Sequence, residues 1–267
     1  MAKILAIDVG NSNIVVGCIE EGSVLFTERM ETRVRRDQQT LYDLFRDMLY
    51  KHKITPAELE GSILSSVVPD ANALIMSAAR HLTGKPCLKI DRSFDSGLDL
   101  SGYDSATLGI DRITDMTAAV AKYGAPVLVC DLGTATTISV ADGQKRFLGG
   151  MISTGIQLSL RALGEYTAQL PELCAAAPER LIGADTVESI ISGVVIGQAA
   201  MIDGIAERVA QELGVDRVPL VLTGGLSRYV IPWLKHEVSY EPELLFAGME
   251  LLYHRNQHRL AALEERT

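Results

Sequence analysis

One arrangement of residues occurs twice in this chain, and it limits what the chain can fold into more than any other feature. Ile4-Leu5-Ala6-Ile7-Asp8-Val9-Gly10-Asn11-Ser12-Asn13-Ile14-Val15-Val16-Gly17 is an apolar run that ends in an acid, turns at Gly-Asn and enters a second β-branched run. About half a chain later, Val127-Leu128-Val129-Cys130-Asp131-Leu132-Gly133-Thr134-Ala135-Thr136-Thr137-Ile138-Ser139-Val140 repeats the plan. Each copy reads as a hairpin whose glycine lets a phosphate approach backbone N–H groups, while Asn or Thr side chains add hydrogen bonds. The acid repels phosphate, so its natural role is to hold a metal ion or a cation-bound water that the phosphate shares. One such hairpin could be an ordinary Asp-Gly turn; two in the same order point to two half-chains built on one plan.

With 267 residues, 47% of them hydrophobic and 22% charged, the chain can form one large domain or two small ones. A chain of that length buries about three quarters of its unfolded surface. Its net charge of -9 argues against nucleic acid or an anionic membrane as the main partner, because neither would be attracted over long range. Cys18, Cys87, Cys130 and Cys174 are widely spaced, with no C-x-x-C, and read as free thiols. The first residues enter a strand with a single Lys3, and no apolar run approaches the roughly 20 residues that span a bilayer, so a soluble cytoplasmic protein is expected.

Along the chain, Glu20-Glu21-Gly22 turns the second strand into Val24-Leu25-Phe26-Thr27, which makes three consecutive antiparallel strands. Leu41, Leu44, Phe45, Met48 and Leu49 recur at helical spacing, and Thr55-Pro56-Ala57-Glu58 is a capping-box pattern. A strand closed by Pro69, a helix over 71–82 and a strand over 87–90 follow, so strands alternate with helices. Residues 91–107 are polar and irregular, as functional loops are, and lead into Leu108-Gly109-Ile110-Asp111-Arg112. Ile113, Met116, Ala119 and Val120 then lie on one helical face, which puts Asp111 and Arg112 in that helix's first turn.

Residues 147–155 read as a strand and a glycine-rich turn feeding a helix that carries Leu158, Leu160 and Leu163. Gly183-Ala184-Asp185-Thr186 opens a long helix in which Gly193, Gly197 and Gly204 each cost up to about 1 kcal/mol unless close packing, such as a self-associating face, uses them. A buried strand then runs into Thr223-Gly224-Gly225, a shape that lets a flat ring lie against backbone. An amphipathic helix over 243–258 follows it.

The ordered set Asp8-Val9-Gly10-Asn11-Ser12-Asn13, Ser66-Val67-Val68-Pro69, Gly109-Ile110-Asp111-Arg112, Asp131-Leu132-Gly133-Thr134-Ala135-Thr136-Thr137, Gly183 to Thr186 with Gly193, and Leu222-Thr223-Gly224-Gly225 resembles the type III pantothenate kinases over nearly the whole chain. That family lies within the actin-like ATPase and sugar kinase superfamily. The resemblance implies an α/β fold of two ribonuclease H-like domains, residues 1–115 and 116–267, with mixed sheets flanked by helices and a cleft between them. It implies ATP, with Mg²⁺, bound by Asp8, Val9, Gly10, Asn11, Ser12, Asn13, Ile14, Val15 and Thr134, and the adenine side near Gly224 and Gly225. A monovalent cation, K⁺ or NH₄⁺, is implied near Asp131. The pantothenate pocket would use Gly109, Ile110, Asp111, Arg112 and Tyr103 with a Thr186 from the other subunit of a homodimer.

Two departures from the family pattern stand in the sequence. The loop from Tyr103 to Gly109 is one residue shorter than the family's Tyr-x-Asn-Pro form, and Ser153-Thr154-Gly155 lacks the proline that usually precedes that glycine. The implied activity is transfer of the γ-phosphoryl group of ATP to the primary hydroxyl of pantothenate, the entry step of coenzyme A synthesis, with Asp111 accepting the hydroxyl proton. Neither a Walker-type phosphate loop nor G-x-G-x-x-G occurs, which leaves the two hairpins as the phosphate route. A non-catalytic regulatory relative and a kinase for another small hydroxy acid are the alternatives that share these motifs.

Overall fold

The computed structural model describes residues 3–34, 36–104 and 107–260. Its elements are β1 (Lys3–Val9), β2 (Asn13–Glu20), β3 (Ser23–Glu31), α1 (Gln38–Lys51), β4 (Leu59–Ser66), α2 (Pro69–Thr83), β5 (Cys87–Lys89), α3 (Ile110–Tyr123), β6 (Val127–Leu132), β7 (Ala135–Ala141), β8 (Phe147–Thr154), α4 (Ile156–Tyr166), α5 (Thr186–Leu213), β9 (Leu220–Thr223), α6 (Ser227–Val230), β10 (Val238–Tyr240) and α7 (Leu244–Arg255). They form two five-stranded mixed sheets, β3-β2-β1-β4-β5 and β8-β7-β6-β9-β10, with one topology: an antiparallel three-strand meander whose first strand continues into two parallel neighbours. The doubled motif of the sequence is therefore a doubled fold.

The first unit comprises Met1–Leu98, Asp104–Ala118 and Glu243–Thr267. Period-two alternation divides β1 between two cores: Leu5, Ile7 and Val9 pack with Leu41, Phe45 and Leu49 of α1 and with Ile75 and Ala79 of α2, while Ile4 and Ala6 face Phe246, Met249, Leu252 and Tyr253 of α7. Asp37 caps α1 by accepting from Thr40 N at 2.7 Å, and α2 starts on Pro69 and stops at Gly84, whose φ of 69° no β-carbon favours. The capping box is present, Thr55 N donating to Glu58 Oε2 at 2.7 Å, but it opens only one 3₁₀ turn. α7 packs on the first sheet, a placement the sequence could not specify: an amphipathic helix declares that it has an apolar face, not which sheet it covers.

The second unit comprises Asp99–Tyr103 and Ala119–Pro242. Here Leu128, Cys130 and Leu132 of β6 and Leu220 and Leu222 of β9 pack against Ile156 and Leu160 of α4 and Ile191, Val195, Ala199 and Ile202 of α5. By length and composition α5 could cross a membrane, contrary to the expectation that no apolar run approaches that length, but 56% of its most apolar stretch is buried inside the chain. Its hydropathy is that of a core helix. Residues 147–154 form one continuous strand rather than a strand and a turn, because Gly149 and Gly150 adopt φ of 111° and 152° inside β8 beside a register shift against β7. Cys18, Cys87 and Cys130 are buried and Cys174 exposed, all as free thiols, and burial pushes the Cys18 thiol up to about 12.

Candidate functional site

The two Asp-x-Gly turns occupy equivalent places. Asp8 is one residue from the end of β1, opposite Val15 on β2 and Ser65 on β4; Asp131 is one residue from the end of β6, opposite Thr137 on β7 and Thr223 on β9. In both, the acid sits between a hairpin partner and a hydroxyl residue of the parallel neighbour. In the first unit the fully buried Ser65 donates from Oγ to Asp8 Oδ1 at 3.0 Å. Between the strands, Gly10 N donates to Asn13 O at 2.9 Å and Gly133 N to Ala135 O at 3.1 Å.

The supports of the turns differ. Thr32, just after β3, holds the first turn twice: its Oγ1 donates to Gly10 O at 2.7 Å and its N to Ser12 O at 3.0 Å. Neither Thr32 nor Ser65 was singled out by sequence; the available signal for Ser65 was a hydroxyl directly after the apolar pair Ile63-Leu64 near the end of β4. The second turn is held by glycines. A β-carbon on Gly155 would lie 2.4 Å from Thr134 O, and one on Gly224 would lie 2.5 Å from Asp131 Oδ1 and 2.6 Å from Leu132 O. Gly224 also has φ of 88°, whereas a β-carbon on Gly225 would meet open space. Where the family's proline is missing, Gln198 Nε2 donates to Thr154 O at 2.9 Å and Ser159 Oγ to Thr154 Oγ1 at 2.9 Å, so side chains hold the end of β8.

Among the expected site residues in the first unit, Asp8, Val9, Gly10, Asn11, Ser12, Asn13, Ile14 and Val15 form the β1–β2 turn and its flanks, and Gly109, Ile110, Asp111 and Arg112 form the start of α3. The Asp111 carboxylate folds back so closely that a β-carbon on Gly109 would lie 2.3 Å from Oδ1, so a side chain there would displace the carboxylate. Oδ1 accepts from Arg112 N at 2.9 Å, and Arg112 is buried. Later in the helix, Thr114 is buried against α7, where a β-carbon on Gly248 would come within 2.1 Å of Thr114 O.

In the second unit, Asp131, Thr134, Gly224 and Gly225 gather at the β6–β7 turn and the end of β9. Tyr103 stacks edge-on against Phe147, ring centres 5.4 Å apart, over the space left by Gly149. Thr186 is the first residue of α5, exposed beside the cap in which Asp185 Oδ1 accepts from Glu188 N at 2.9 Å and Glu188 Oε2 from Ala184 N at 2.8 Å. It borders an open hollow of about 530 Å³ with Leu163, Leu170 and Ile190. No cluster of three or more His, Cys, Asp or Glu occurs among the described residues. Asp131 and the neighbouring Leu132 carbonyl both lie close to Gly224 and are hard oxygen donors, the chemistry that suits a cation such as K⁺ or Mg²⁺.

Residues 4–208 match the family described as type III pantothenate kinase. The chain is 35% identical over 255 residues to a type III pantothenate kinase of Exiguobacterium sibiricum, covering 95% of this chain and all of that one, and 33% identical over 257 residues to one of Agathobacter rectalis, covering 96% and 98%. Among solved structures it resembles a putative Baf family transcriptional activator of Campylobacter jejuni (TM-score 0.60, 19% identity, 95% and 99% covered). It also resembles a putative 2-dehydro-3-deoxygalactonokinase of Sinorhizobium meliloti (TM-score 0.53, 17% identity, 95% and 96% covered). At those identities the structural likenesses establish the fold alone.

Proposed function

The chain belongs to the type III pantothenate kinase family, and from that premise we propose how its residues divide the work of the reaction. The activity is ATP-dependent transfer of a phosphoryl group to the primary hydroxyl of pantothenate, giving 4'-phosphopantothenate at the start of coenzyme A synthesis. The observation that carries the division is the placing of Asp111 and Arg112 in the first turn of α3. Asp111 receives the hydroxyl proton at Oδ2, since Oδ1 already accepts from Arg112 N. Arg112 and Thr186 hold the carboxylate of pantothenate, with Gly109, Ile110 and Tyr103 shaping its pocket. The β1–β2 turn and Thr134 offer N–H and hydroxyl groups to the phosphates, and Gly224 and Gly225 leave backbone open for the adenine.

Magnesium bound to ATP and a monovalent cation beside Asp131 would screen the charge that the phosphoryl oxygens carry. The reading includes a homodimer that lends Thr186 across its interface, and it is supported by α5, where a β-carbon on Gly193 or Gly197 would meet nothing within 4 Å beyond its own stretch of helix. Mid-helix glycines cost about 1 kcal/mol each, and a second copy packed there would use the space they leave. Buried free thiols agree with a reducing cytoplasm. A coupled ADP-release assay with pantothenate and a panel of small hydroxy acids, with and without K⁺, tests the reading: turnover with pantothenate that rises with K⁺ is expected, and turnover indifferent to K⁺ removes the cation from it.

A further inference from the structure

The carbonyl just before the acceptor segment has an unusual partner. Leu108 is buried, and α3 begins only at Ile110, with Ile113 N donating to Gly109 O at 3.4 Å. The Arg112 N–H, which one more helical turn would have offered to Leu108 O, is given to the Asp111 carboxylate instead. Arg92, sixteen residues upstream, takes over: its Nε and Nη2 both donate to Leu108 O, at 3.4 and 3.3 Å. A buried carbonyl left unpaired is costly, and a planar guanidinium presenting two N–H groups satisfies it from one direction.

The loop that carries Arg92 is itself gripped by the end of α7. Asn256, almost fully buried, accepts from Asp95 N at 2.9 Å through Oδ1 and donates through Nδ2 to Asp95 O at 3.2 Å and Leu252 O at 2.8 Å. Arg255 Nη1 donates to Ser96 O at 2.5 Å, over Gly97, whose lack of a side chain makes room for the guanidinium. Arg259 lies 4.5 Å above the ring of the buried Phe94 and donates through Nη2 to Ser93 O at 2.5 Å. The loop thus connects the last described helix of the chain to the carbonyl that precedes Gly109.

We propose that Arg92 is a positioning residue for phosphoryl transfer, a strut that sets the start of α3, and with it Asp111, from the Asn256 anchor on α7. The inference rests on the reading of Asp111 as the group that receives the hydroxyl proton. Misplacing a reacting group by about 1 Å can cost up to about 10² in rate. Arg92→Ala should therefore lower kcat on the order of 10 to 10² fold and raise KM for pantothenate, with KM for ATP and the melting temperature nearly unchanged. Because Arg92 is exposed, ethylguanidinium in solution should restore part of the lost kcat, and Arg92→Lys should fall between the two. Asn256→Ala should show the same split between pantothenate and ATP without rescue.

Asp111→Asn measured alongside separates the two ideas. An inactive Asp111→Asn beside an Arg92→Ala of normal kinetics overturns the strut and leaves the role of Asp111 standing. Activity retained in Asp111→Asn overturns the role of Asp111 itself. An Arg92→Ala whose losses fall equally on both substrates, track a lower melting temperature and ignore ethylguanidinium shows a merely structural arginine, which also overturns the proposal.

Discussion

The two sheets share one strand order and place an acid at the same step of the same strand, yet they hold their turns by opposite means. In the first unit, side chains do it: Ser65 donates to Asp8, and Thr32 bonds both Gly10 and Ser12. In the second, missing side chains do it: Gly155 and Gly224 let backbone close on the Gly133-Thr134 turn and on Asp131. Hydroxyl supports are worth about 1 kcal/mol each and can be lost singly, whereas Gly155, pressed against carbonyl oxygens, and Gly224, which is also at positive φ, admit no side chain without moving the chain. A shared topology therefore does not imply a shared tolerance to mutation.

The sharpest way to break the comparison is at the chemistry. Asp111→Asn in the first unit should lower kcat roughly 10² to 10⁴ fold, the usual range for general-base catalysis, with substrate binding changed far less. Asp131→Asn, at the turn of the second unit, should act instead through the proposed K⁺ dependence; equal losses of kcat in both variants, with no change in the K⁺ titration, would contradict a division of labour between the units. Gly224→Ala comes next. Alanine at a compatible glycine site gains roughly 0.4 to 1 kcal/mol, but here collision with Asp131 and Leu132 together with the positive φ should destabilise by more than that gain and should raise KM for ATP. Gly225→Ala, facing open space, should be near neutral in thermal melts and ATP titrations, and a neutral Gly224→Ala would remove the distinction.

If the open glycines of α5 in the second unit are the proposed dimer contact, Gly197→Leu should abolish self-association in sedimentation while leaving the melting of the fold largely intact. A variant that is monomeric with full turnover would refute a site shared between subunits. Smaller effects belong to the first turn, where Thr32→Val and Ser65→Ala should each cost about 0.5 to 1.5 kcal/mol of stability. Each should also weaken ATP binding a few fold, measurable by calorimetry.

Smallest is a pH effect in the second unit. Burial raises the Asp203 carboxyl, but His236 and the Lys235 and His236 N–H groups outweigh it and hold the group below its usual range. A lowered folded-state value gives stability that is present above about pH 3.9 and is lost as pH falls through the lowered value. Asp203→Asn should then melt about 2 to 4 °C lower at neutral pH, with the gap closing toward pH 3. A gap independent of pH would assign the loss to packing.

The sequence alone determined what depends on neighbours in the chain. The apolar runs, the Asp-x-Gly turns and the meander β1 to β3 were legible because strand alternation and turn chemistry act over a few residues. So was the placing of Asp111 in the first turn of a helix. Tertiary structure decided what depends on residues far apart. It set α7 on the first sheet, ran Gly149 and Gly150 through β8 with Tyr103 stacked above, and made Thr32, Ser65 and Arg92 the supports of Gly10, Asp8 and Leu108, across 22, 57 and 16 residues. A hydroxyl or guanidinium can bond any acceptor it reaches, and only the packed sheets bring those acceptors within about 3 Å.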